Sequence, residues 1–383
     1  MHSGLEAAGF ALGAVAVVMT MLSAIRAVVL PRAVQNFIPR VTTNAVRFVL
    51  RLRAARSDSY HDRDRVMAMV APMALISMLA TWLAVLFLAY ALMMFCITGR
   101  SVAGSFELSG SSIVTLGTAS DPQFWPSMLS YSEAALGLLL VALFITYFPS
   151  IYSAFTRRET GVTLLQVRAG DPPQATTMLI RYHRIEERRY QLTELWRQWE
   201  AWFSDIEESH TTFPILAFFR SPQPERSWIT AAGALLDGAA FWVACVDEHP
   251  IDPDAQLCIR AGFLALRRIA DAFDLPYDPD PAPDGPVTVS RYEWEAAMTD
   301  MAAAGVPLVA DREQAWAAWR GWRVNYDTVL LRLARLVEAP PAPWVSDRSP
   351  VASRDARRRR DRPAGSGPDP GRTASGWRRW TRR

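Results

Sequence analysis

The 383-residue chain contains no lysine; all 41 of its basic residues are arginine. That composition fits a GC-rich coding sequence and says little about function. Cysteine is scarce, with only Cys96, Cys245 and Cys258, far apart and without a C-x-x-C pair. Such scatter excludes a disulfide framework and reads as buried thiols. The five histidines, His2, His61, His183, His210 and His249, stand at no metal-ligand spacing. No phosphate-binding G-x-x-x-x-G-K-[ST], dinucleotide G-x-G-x-x-G or nucleophile G-x-S-x-G motif occurs. The group Asp247-Glu248-His249-Pro250 reads as a helix end and polar turn. The sequence therefore supports neither an enzyme nor a cofactor. Strand-rich runs are absent too, which leaves an all-α chain.

Long charge-free apolar runs are what the chain does have. Half of all residues are hydrophobic, and the longest runs fall before about position 155. Three segments have the length and composition of transmembrane helices: Gly9 to Leu30, Val66 to Thr98 and Ser132 to Phe155. The second exceeds the ~30 Å hydrocarbon core at 1.5 Å per residue, so it must tilt or protrude. A cleaved signal peptide does not suit the first, because MHSGLEAAG holds Glu6 and no arginine.

Arginine placement orients these helices. Between Pro31 and Arg65 stand Arg32, Arg40, Arg47, Arg51, Arg53, Arg56, Arg63 and Arg65, and Arg157 and Arg158 follow the third helix. The loop after Thr98 has only Arg100. The positive-inside rule then predicts an external N-terminus and a cytoplasmic C-terminal half in the plasma (inner) membrane. The segment from Asn36 to Ser57 mixes apolar residues with arginine at helical spacing. It reads as an interfacial helix or as a plain basic connector.

Between the second and third apolar helices lies SGSSIVTLGTASD, Ser109 to Asp121, too polar to span a bilayer. Gly104 and Ser105 open a short helical stretch that runs to about Val114. Gly117 permits backbone conformations closed to other residues, so carbonyls can turn toward an axis. Helix, short polar helix, T-x-G turn and a helix with an inner proline together resemble the pore module of tetrameric potassium-type channels. The resemblance covers roughly Val66 to Phe155. It implies a homotetramer in membrane lipid that passes monovalent cations, potassium or a less selective set. The ion path would run past the carbonyls of Thr115, Leu116, Gly117 and Thr118. Glu133 and Asp121 become candidate pore-mouth acids, and Pro149 a candidate inner-helix kink. The family continues with an aromatic, a second glycine and an aspartate, whereas this chain has Thr118, Ala119, Ser120 and Asp121. A potassium-type filter is therefore incomplete here. The competing reading is an ordinary external hairpin in a non-conducting membrane anchor that binds protein partners.

From Arg157 onward the pattern is that of helices separated by proline-rich turns. Gln174 to Ser209 reads as a charged-faced helix, with His183 on that face. Trp196, Trp199 and Trp202 share one side of it; Trp316, Trp319 and Trp322 repeat the spacing, as core tryptophans do. Trp228 to Asp247 and Ala255 to Phe273 are apolar helices, and PYDPDPAPDGP from Pro276 to Pro286 is a linker. Ser290 and Glu293 form a capping-box pattern, and a last helix runs from Asp311 to Val337. From Ser346 the tail carries twelve arginines and four aspartates, with Trp377 and Trp380. It reads as disordered and suited to anionic lipid headgroups rather than nucleic acid. The expected organisation is a first transmembrane helix (1–31), a basic connector (32–65), a pore module (66–156), a helical domain (157–345) and the tail (346–383).

Overall fold

A computed structural model describes residues 2–28, 37–57, 59–185, 192–247 and 252–348. The expected disordered tail beyond position 348, and Glu248 to Pro250 of the polar turn, lie outside them. Among the described residues the regular structure is helical, and one isolated bridge joins Val246 to Leu308.

α1 (His2–Val28) lies against α4 (Val70–Thr98) in antiparallel fashion. Small residues permit the approach, as is usual where apolar helices associate without a hydrophobic driving force. A Cβ added at Gly13 would fall 2.5 Å from Met93 Cγ and 2.8 Å from the Ala89 carbonyl; one at Gly9 would meet Cys96 Sγ at 2.7 Å. Further along, the Trp82 indole N–H donates to Ser23 Oγ at 3.3 Å. Between them come α2 (Phe37–Ala54), packed on α4, and α3 (Tyr60–Met67), capped by Ser59. α4 carries no charge along its length, and Gly99, with φ +64°, ends it in the left-handed region that favours glycine. α5 (Val102–Ile113) starts on Ser101, whose hydroxyl accepts from Gly104 N at 3.2 Å.

α6 (Phe124–Ala169) is a single helix of 46 residues, about 69 Å long. The sequence places a helix only from Ser132 to Phe155 and a domain boundary at 157; the helix instead runs on through both. Past Phe155 its buried face is Arg158, Glu159, Gly161, Val162 and Leu165, which packs into the helical domain. Lipid-like apolarity stops, but helicity does not.

The remaining helices are α7 (Ala175–Arg184), α8 (Leu192–Thr212), α9 (Trp228–Cys245), α10 (Pro253–Ala272), α11 (Arg291–Ala303), α12 (Arg312–Arg323) and α13 (Asp327–Val337). The single helix expected from Gln174 to Ser209 is thus two, α7 and α8. The one expected from Asp311 to Val337 breaks after Arg323, where Arg323 and Tyr326 turn inward onto Asp237 and Asp327 accepts from Arg323. The capping box forms as read: Ser290 Oγ accepts from Glu293 N, and Glu293 Oε2 accepts from Ser290 N. Trp196, Trp199, Trp228, Trp294 and Trp319 are all buried in one core. No cysteine is in a disulfide; Cys245 and Cys258 are buried and Cys96 half-buried.

Among the described residues, four helical stretches are long and apolar enough to cross a membrane: Gly4–Val28, Tyr60–Thr98, Phe124–Ala169 and Trp228–Cys245. The fourth, α9, differs from the others in its surroundings. It is covered on nearly all sides by α7, α8, α10 and α12, as an apolar helix at the centre of a globular domain is. A second, separate core joins α1, α4 and α6 through Val17, Trp82, Leu86, Tyr90, Leu140 and Ile151.

Candidate functional site

α5 folds back along α4. Ser109 Oγ lies 3.0 Å from the Phe87 carbonyl, and the Phe87 and Phe106 rings meet edge to face at 5.3 Å. Phe87 is three turns before Thr98, so α5 descends about 16 Å beside the helix that precedes it. At its lower end Ile113 packs against Gly137 of α6. The chain then climbs back: Arg100 at the top of the hairpin is 2.9 Å from the Asp121 carboxylate.

The returning loop is organised by two adjacent residues of α5, Ser111 and Ser112. The Ser111 carbonyl accepts from Leu116 N at 3.0 Å, and Ser111 Oγ accepts from Ala119 N at 3.0 Å. Ser112 O accepts from Thr115 N, also at 3.0 Å. In a trans peptide the carbonyl points opposite the N–H of the next residue. Each of these bonds therefore aims a carbonyl away from α5: those of Val114, Thr115 and Thr118. Ala119 behaves differently, since its carbonyl lies 3.3 Å from Ser111 Oγ and is turned back toward α5. Thr115 (φ +55°) and Gly117 (φ +68°) take left-handed conformations. Nothing lies within 4 Å of a Cβ built on Gly117, and residues 114–118 are exposed in the single chain.

The two candidate mouth acids are placed otherwise than expected. Asp121 is not a free surface carboxylate. It is 8 % exposed, accepts from Arg100 Nε at 3.1 Å and from Gln123 N at 3.0 Å, and its carbonyl accepts from Ser127 Oγ. Glu133 does not open the third helix at an outer surface. α6 has begun nine residues earlier, so Glu133 is interior and fully buried. Its Oε1 is 2.6 Å from Ser109 Oγ, and its Oε2 has no partner. One hydroxyl proton on Ser109 faces two acceptors, Glu133 and Phe87 O, and cannot serve both fully. Nearby Ser130 Oγ is also buried without a partner, while Tyr90 OH and Ser132 Oγ meet at 2.9 Å. Pro149 sits inside α6, where it lacks the N–H that residue 145 would bond, yet the helix continues on both sides. Tyr131, Leu138, Ile145, Pro149 and Tyr152 recur on one exposed face of α6.

A second constellation, absent from the sequence reading, joins α6 to the helical domain. Arg158 is fully buried. Its guanidinium donates to Leu216 O at 2.7 Å, Phe219 O at 2.8 Å and Glu159 Oε1 at 2.8 Å, and lies 5.1 Å from the Phe155 ring centre. Its own carbonyl accepts from the Trp202 indole at 3.2 Å. His210 Nε2 is 3.4 Å from Arg158 Nη1, and its Nδ1 is 2.9 Å from Ile206 O. Those partners assign the proton to Nδ1 and leave Nε2 to accept. Burial, and then the Arg158 charge, hold the His210 pKa well below its usual value. The one sequence cue was the adjacent pair Arg157 and Arg158, which charge counting treats alike; Arg157 is 55 % exposed and pairs with Asp205.

His183 is half-buried beside Gly305 rather than solvated. Among the described residues no group of three or more His, Cys, Asp or Glu side chains is placed to hold a metal ion. The fold and this geometry define an all-helical chain with several helices capable of crossing a membrane. No protein-family model, curated protein or solved structure matches it.

Proposed function

We propose that four copies of this chain surround an axis in the plasma membrane and pass monovalent cations between their α5–α6 loops. The carrying observation is the exposed loop at the foot of α5, whose Val114, Thr115 and Thr118 carbonyls are aimed away from the helix that holds them. Carbonyl oxygens grouped about an axis can replace an ion's hydration shell. Irregular backbone at membrane depth is tolerated where it is buried or lines water. Thr115, Leu116, Gly117 and Thr118 line the path in this reading, and the exposed face of α6 from Tyr131 to Tyr152 faces the axis or a neighbouring copy. The bare, fully buried Oε2 of Glu133 fits a site completed by water. Because Ala119 replaces a second glycine and turns its carbonyl back, the filter is shorter than a potassium-type one and discriminates weakly between potassium and sodium.

Arginine placement orients the molecule with the N-terminus outside and the helical domain in the cytoplasm of a bacterial cell. The domain reaches the ion path through α6 and its Arg158 junction. A non-conducting anchor for protein partners is the second reading, favoured by the Arg100–Asp121 pair that closes the hairpin like an ordinary structural loop.

Planar-bilayer recording on purified protein tests the proposal, with tetramer formation checked by native mass spectrometry. Cation currents that vanish in Gly117→Val support it. Silence across several cations from a verified tetramer overturns it in favour of the anchor.

A further inference from the structure

α2 has two faces of opposite fate. One is taken up by α4 and the helical domain: Leu50 and Ala54 cluster with Val70 and Ala71, and Arg47 donates to Leu336 O at 2.8 Å while lying over the Phe218 ring. Along the edge of that face, Arg40 pairs with Asp274 at 2.8 Å and Arg51 with Glu338 at 2.6 Å. The other face is bare. Phe37, Val41, Phe48 and Leu52 are 78, 47, 64 and 55 % exposed. At 100° per residue they fall within one 60° sector, with no charged residue inside it. Arg53, on the far side of that sector, and Arg56 just past the helix end are also exposed.

We infer that this stripe is embedded in the headgroup–acyl boundary of the membrane leaflet on the side of the helical domain. Anionic lipid headgroups meet Arg53 and Arg56. Three observations select lipid over another occupant. Val28, the end of a helix able to span, lies nine positions before Phe37. The start of α4, against which α2 packs, presents further bare apolar residues, Met69, Met73 and Ile76. Apolar stripe and flanking arginines form the pattern of helices that lie in the plane of an anionic interface. α2 then acts as a plate with lipid on one side and, on the other, a domain held by Arg40, Arg47 and Arg51. The inference rests on the membrane placement of α1 and α4 and not on conduction.

The test uses full-length protein with Cys96→Ser, leaving two buried thiols, and an environment-sensitive fluorophore on a single new cysteine. Phe48→Cys and Val41→Cys report α2, Leu12→Cys reports exposed α1, and Tyr292→Cys reports the exposed surface of α11. Each is placed in phosphatidylcholine–phosphatidylglycerol nanodiscs with and without brominated acyl chains. Loss of Phe48 and Val41 label fluorescence in bromolipid, with Tyr292 unaffected, is the expected result. Quenching at Leu12 alone overturns the inference while leaving the membrane reading intact. No quenching at Leu12 overturns both. Disulfide-linked dimers through Phe48→Cys would show that a second copy covers the stripe, and would also overturn it.

Discussion

Two buried carboxylates separate the halves of this molecule. In the helical domain Asp237 accepts from both sides: Arg323 Nη1 reaches its two oxygens at 2.7 Å, and Tyr326 OH adds a bond at 2.9 Å. Arg323 in turn serves Asp327 Oδ1 and the Trp344 carbonyl, each at 2.7 Å. Between the apolar helices, Glu133 has one serine contact and one bare oxygen. The Asp237 carboxylate thus finds partners for both of its oxygens within a single chain. Glu133 leaves one oxygen bare in the interior, a site of the kind that buried water completes.

Breaking the closed network has the largest expected effect. Arg323→Met leaves Asp237 and Asp327 without their buried counter-charge, and removing one partner from a buried pair costs about 3–5 kcal/mol. A large drop in the thermal midpoint of tryptophan fluorescence, measured in detergent, checks this. Glu133→Gln sharpens the contrast from the other side. Its carboxylate is already poorly partnered, so stability should move by less than about 1 kcal/mol while single-channel currents change. A Glu133→Gln melt as damaging as that of Arg323→Met would abolish the distinction.

The junction between the halves comes next. A Cβ at Gly161 would overlap the Trp202 indole, so Gly161→Ala should cost about 1–3 kcal/mol by overpacking, seen as a lower melting point and looser protease resistance of α6. His210 supplies a pH dependence. Its folded pKa lies well below the usual 6.5, so the unfolded chain binds the extra proton first. Stability is therefore intact above about pH 6.5 and falls as pH drops below it, by up to about 1.4 kcal/mol per unit. Melts between pH 7.5 and 5 should show this slope, and His210→Phe should flatten it. The smallest effect belongs to Arg100→Ala. The pair it breaks is partly exposed, worth about 0.2–1 kcal/mol, and faster hydrogen exchange confined to residues 114–123 would report it.

Much of this architecture was legible beforehand. Charge-free runs located α1, α4 and α6 because apolarity is a local property, and the serine- and glycine-rich stretch located α5 to within a few residues. The tryptophan spacing announced a core. What local pattern could not carry was the length of α6, since its apolar stretch ends while its backbone hydrogen bonds continue. Nor could it carry the burial of Glu133, Asp121 and Arg158. Arg158 is fixed by two carbonyls about sixty positions away in sequence, and backbone acceptors leave no mark in composition. Arg40, Arg47 and Arg51 posed the same difficulty, being counted as a basic connector when each has a partner in the domain.

The unbroken run of α6 has a mechanical consequence. A helix about 69 Å long, gripped at one end by the Arg158 junction and braced near the other by Ile113 against Gly137, is a strut. A push on its domain end cannot be absorbed by a loop, because no loop intervenes. It must appear as tilt along the whole rod, or as bending at the one turn weakened by Pro149, which lies between the two grips. Either response carries work done on the domain along α6 toward its other grip.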